Sequence, residues 1–79
     1  MTVILDAQKL EEKEQAHRYL KQVMGFPDYY GNNLDALYDC LSEIPDLTIC
    51  ILHADQGQGY FSRVLSVFED LTDAKVRYI

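Results

Sequence analysis

Asp35 and Asp39 stand four residues apart in the stretch YYGNNLDALYD, residues 29–39, and Glu43 follows four residues later. Paired carboxylates at such a spacing suit acid–base catalysis, metal binding or the capture of a cationic partner. The catalytic reading lacks companions. There is no lysine or arginine between Gln22 and Ser62 to stabilise a developing anion. His17 and His53 have no evident catalytic partner and read as structural. Lone acids at i and i+4 are common on helices, and no Cys/His spacing suggests zinc. The GQG at residues 57–59 has neither a P-loop nor a dinucleotide-binding pattern and reads as a flexible turn. No catalytic residue, metal or cofactor is therefore expected, and the acids read as a binding face.

The charge distribution points the same way. The 79-residue chain carries a net charge of −6. The stretch without bases holds six acids, Asp28, Asp35, Asp39, Glu43, Asp46 and Asp55, and the other seven acids are matched by all seven bases. The net charge thus sits in the middle of the chain. Such a field repels nucleic acid and attracts a basic protein.

The elements that must hold these acids are legible from periodicity. TVIL at residues 2–5 reads as a strand, and residues 11–24 read as an amphipathic helix with Ala16, Tyr19, Leu20 and Val23 inward. Gly25 and Pro27 end it. Asn33 is placed to cap a helix over residues 34–42, which Pro45 stops. LTICIL at residues 47–52 is apolar on both alternating faces, as in a strand covered on both sides or central in a small sheet. Residues 55–59 read as a loop, residues 60–71 as a helix with Phe61, Val64, Leu65 and Phe68 inward, and residues 75–79 as a last strand. The order β-α-α-β-α-β predicts an α/β fold, a small three-stranded parallel sheet packed with about three helices. The length suits one domain over residues 1–79. No apolar run is long enough to span a membrane and no signal peptide is visible, so a cytoplasmic location is expected. Cys40 and Cys50 read as buried thiols of a reducing compartment.

On the helix over residues 34–42, a step of about 100° per residue puts Asp35, Asp39, Tyr38 and Ser42 on one face. Leu34, Leu37, Leu41 and Cys40 fall on the other. Like charges at i and i+4 cost a few tenths of a kcal/mol, so stability alone favours a lysine at one of these positions. Tyr29 and Tyr30 add aromatic surface beside the acids, on a loop hinged by Gly31, with Tyr30 the one assigned to the core. Tyrosine at such a site offers apolar area and a hydroxyl together.

The stretch FPDYYGNNLDALYDCL, Phe26 to Leu41, resembles the inhibitory segment of barstar-type ribonuclease inhibitors. In that family Pro, an acid and Tyr-Tyr-Gly lead into Asn-Leu-Asp-Ala-Leu, an aromatic residue and Asp-Cys-Leu. The likeness runs ungapped from Leu10 to Leu41 and, with a deletion, on to VLSVF at residues 64–68. It therefore covers nearly the whole chain. The resemblance implies an inhibitor that presents its acidic helix and loop, one-to-one and as a monomer, to the basic active site of a small barnase-like ribonuclease. It implies no direct contact with nucleic acid. By motif position Asp39 takes the place of an RNA phosphate before the enzyme's arginines and catalytic histidine. Asp35 meets another cation, Tyr29 packs on that histidine, Gly31 admits close backbone approach and Asn33 fixes or contacts through the loop. Asp70 adds a peripheral ion pair.

The chain departs from that pattern at four places. Tyr38 stands where an indole is common, which alters the rim. Asn32 stands where the familiar member has an acid, and Asp70 is a methylene shorter than the expected glutamate. The segment between His53 and Tyr60 is short, so a helix is missing. These departures leave open a non-inhibitory binding module of the same fold, directed at another basic protein.

Overall fold

The computed structural model describes all 79 residues. Three strands, β1 (Thr2–Asp6), β2 (Thr48–Leu52) and β3 (Lys75–Tyr78), form one parallel sheet in the order β1-β2-β3. Helices α1 (Lys13–Met24) and α2 (Leu34–Ser42) connect β1 to β2, and α3 (Phe61–Asp70) connects β2 to β3. The order β-α-α-β-α-β is the one expected. Short 3-10 turns at Ala7–Lys9 and Ala54–Gln56, read from sequence as plain connections, follow the first two strands. The side chains of Gln8 and Gln56 join them by a 2.8 Å hydrogen bond. The longest helix has 12 residues, and none is long and apolar enough to cross a membrane.

All three helices share one face of the sheet. Val3, Leu5, Ile49 and Ile51 point into a single core with Leu20, Leu37, Leu41, Val64 and Phe68. Each such side chain removed from water contributes about 1.5–3 kcal/mol. The other sheet face has no cover. Ile4 is exposed there, and Cys50 and Leu52, in register beside Ile4 and Asp6, are only half-buried. β2 is central but not covered on both sides, because the chain supplies no helix for the outer face. The two cysteines are free and half-buried, not buried as expected.

Two local readings also shift. α1 starts at Lys13 instead of Glu11, and Glu12, at its cap position, makes no side-chain cap bond. Its buried stripe is Ala16, His17, Leu20 and Met24, while Val23 faces water and Tyr19 is half-buried. The helix is rotated because His17 is a core residue. The GQG turn is packed and not loose. Gly59 has φ +60°, a left-handed conformation that glycine adopts without strain. A Cβ there would lie 2.8 Å from the Glu11 carbonyl oxygen, the same oxygen that accepts the Tyr60 N–H at 2.9 Å.

Candidate partner-binding site

The acidic face is carried on a well-capped helix. Asn33 Oδ1 accepts the Ala36 N–H at 2.7 Å, satisfying one of the free donors at the start of α2. Its Nδ2 donates to the Gly31 carbonyl at 3.2 Å, so one side chain ties loop to helix. Leu37 and Leu41 are buried, while Asp35, Tyr38, Asp39, Ser42 and Glu43 are exposed, as the helical spacing predicts. Neither Asp35 nor Asp39 has a cationic atom within 4 Å; the ion pairs present are Lys21–Asp28 and His53–Asp6.

The loop before α2 is anchored from beneath. Tyr30 is 5% exposed and Tyr29 is 87% exposed. Tyr30 Oη lies 2.7 Å from His17 Nδ1, and Tyr60 Oη lies 2.7 Å from His17 Nε2. A neutral imidazole has one N–H and one acceptor nitrogen, so one hydroxyl donates to the ring and the other accepts from it. Burial, with Lys13 adding to it, pushes the His17 pKa down, which favours this neutral ring. Burial, then Cys40 and Tyr60, pushes the Tyr30 hydroxyl far above the ordinary tyrosine range. The network fixes Tyr30, and its neighbour Tyr29 is held out into solvent. The left-handed residue of the loop is Asn32 at φ 54° and not Gly31. Gly31 serves by being small: a Cβ there would lie 3.1 Å from Asn33 Nδ2 and 3.4 Å from the Ala36 methyl.

Tyr29 and Glu43 border a shallow depression of about 280 Å³ that also includes Cys40. Burial first, then Glu43 and Asp39, raises the Cys40 pKa, so that thiol is a poor nucleophile. Asp35 is less isolated than its sequence neighbours imply. The fold brings Lys13 and Arg63 to the same recess of about 230 Å³, although neither comes within ion-pair distance of it.

Tyr29, Gly31, Asn33, Asp35, Tyr38 and Asp39 thus lie on one loop–helix unit. Asp70 is exposed at the last position of α3 and borders none of the recesses that these residues line. Asp73 instead shares a groove with Tyr38 and Ser42. Nothing in the local sequence marks Asp73, which sits in a turn between α3 and β3. His17 and Tyr60, which hold the loop, are 43 residues apart, a separation that no local pattern reveals. No group of three or more His, Cys, Asp or Glu side chains is arranged to hold a metal ion.

Comparison with known proteins shows the family. A family model described as Barstar (barnase inhibitor) matches residues 1–78. A Bacillus subtilis (strain 168) protein named "Putative ribonuclease inhibitor YrdF" is 46% identical over 50 residues, 63% of this chain. That match spans about half of the relative's own length, 55%. With a three-stranded parallel sheet, three helices and a capped acidic helix beside an anchored tyrosine loop, the chain belongs to the Barstar (barnase inhibitor) family.

Proposed function

We propose that this protein is an inhibitor of a small basic ribonuclease and does no chemistry of its own. The observation that carries the reading is the pair of exposed, unpaired carboxylates Asp35 and Asp39 on a capped helix beside the exposed Tyr29 ring. The 79-residue chain acts as one domain and binds its enzyme one-to-one. Asp39 occupies the place of an RNA phosphate and Asp35 meets a second cation. Tyr29 supplies apolar burial between them, Gly31 and Asn33 shape the loop, and Tyr38 forms the rim with Asp70 at the periphery. Carboxylates facing fixed arginines gain charge-assisted hydrogen bonds, and the acidic field speeds encounter.

The test is titration into an RNA-cleavage assay with a barnase-type ribonuclease at low and moderate salt. Stoichiometric inhibition is expected. Asp39→Ala removes charge-assisted bonds of about 1.5–3 kcal/mol, so the variant should bind at least about tenfold more weakly. Its circular dichroism should match the parent's, since the Asp39 carboxylate has no partner in the fold, and the Ser42 hydroxyl bonds only its backbone carbonyl. Asp70→Ala should change affinity far less. Equal losses in the two variants, or no inhibition at either salt, would count against the reading.

A further inference from the structure

Four of the seven bases, Lys13, Arg18, Lys21 and Arg63, gather around the loop that precedes the acidic helix. Lys13, Arg18 and Lys21, with the single acid Glu14 and the buried His17, line a cleft of about 480 Å³ along α1, and Asn32 of the loop forms its border. Lys13 also lines the neighbouring recess, where Asn33 and Asp35 lie opposite Arg63. Asn32 thus borders a cleft with three bases to one acid, and Asn33 borders the recess where Lys13 and Arg63 come near the first acid of the helix face.

These cations are largely unused by the fold. Lys13, Arg18 and Arg63 have no acidic atom within 4 Å, and Lys21 meets only the fully exposed Asp28, at 3.5 Å. Glu14 and Arg18 have the spacing of a helical ion pair and do not form one. In a chain of net charge −6, acids are plentiful, yet these bases are left free beside the candidate site.

A partner seated on Tyr29 and Asp35 spans the loop between them, which includes Asn32, and reaches the recess that Asp35 shares with Lys13. If its surface were basic throughout, it would meet repulsion there, and desolvating an unmatched cation costs several kcal/mol. We propose that the binding surface has two signs, and that the partner ribonuclease carries an acidic flank beside its basic centre that seats on Lys13 and Arg18. The two signs would fix a single docking orientation. This inference rests on the inhibitor reading and adds the chemistry of the enzyme's rim to it.

The experiment compares two charge reversals against a barnase-type ribonuclease, with Asp39→Ala in parallel. Lys13→Glu/Arg18→Glu reverses the cleft. Lys75→Glu/Arg77→Glu makes the same change in net charge on β3, where both residues are exposed and belong to the uncovered side of the sheet. Circular dichroism and urea midpoints establish that each variant is folded. If the cleft is idle, the added negative charge should act alike in both variants. The expected result is a loss of roughly tenfold or more in affinity for the cleft variant, with slower association, and no loss for the β3 variant. A cleft variant that binds as tightly as the β3 variant would overturn the two-signed surface while leaving the inhibitor reading intact. Failure of the parent itself to inhibit would remove both.

Discussion

His17→Leu tests how the loop is held. The substitution puts an apolar side chain in place of a buried polar one and removes two 2.7 Å hydrogen bonds. Tyr60 is half-buried, so its hydroxyl can turn to water. The Tyr30 hydroxyl, on a residue 5% exposed, cannot do so easily. An orphaned buried hydroxyl costs about 1–3 kcal/mol and a rehydrated one about 0.5–1.5 kcal/mol, for a total of roughly 1.5–4.5 kcal/mol. A domain of this size has about 4–12 kcal/mol to lose. Urea unfolding followed by far-ultraviolet circular dichroism measures the change. Adding Tyr30→Phe to His17→Leu removes the orphan and should recover about 1 kcal/mol or more, because deleting both partners costs less than deleting one. Additive losses, or a His17→Leu cost under about 0.5 kcal/mol, would refute the network. The pH dependence gives a second readout. The folded His17 pKa lies below the ordinary value near 6.5, so as pH falls through about 6.5 the unfolded chain takes up a proton that the folded chain refuses. Stability is complete above that pH and declines towards the lower folded pKa, by at most about 1.4 kcal/mol per pH unit. His17→Leu should abolish this decline. Asp6 acts in a lower window: burial opposes its ionisation, but the Gln8 N–H and His53 outweigh it and hold its pKa down. Its share is lost only as pH falls from about 4 towards that folded pKa.

Two other substitutions probe the supports of the site. Asn33→Ala removes the 2.7 Å cap on α2 and the bond to Gly31; the expected loss is about 1 kcal/mol by urea unfolding, and no loss would mean that the cap is dispensable. Gly59→Ala places a methyl 2.8 Å from the Glu11 oxygen at φ +60°, so about 1–3 kcal/mol should be lost by thermal or urea unfolding; an unchanged midpoint would show that the turn adapts freely.

What the sequence could reveal divides along local and distant interactions. α2 was legible because all its signals are local: Asn33 caps it, its leucines recur at helical spacing, and its end falls just before Pro45. The rotation of α1 was hidden because His17 enters the core only when Tyr30 and Tyr60 arrive from elsewhere in the chain. The packed GQG turn was hidden for the same reason, since its contact is Glu11. Asp35 looked isolated because Lys13 and Arg63 approach it only in three dimensions. LTICIL fitted either a doubly covered strand or a central one, and it proves central, because its own side chains cannot tell how many helices the chain supplies.

The uncovered sheet face divides each strand into two regimes of sequence change. Val3, Leu5, Ile49 and Ile51 answer to close packing, where a lost methylene is felt. Ile4 and Arg77, one residue out of phase with them, answer to little beyond β propensity and solubility. Substitutions accumulated over generations should therefore spread along β1 and β3 with a period of two. Tyr29, Asp35 and Asp39 lie on the helical layer, so this outer face can drift, acquire charge or gain a covering segment without those residues having to follow.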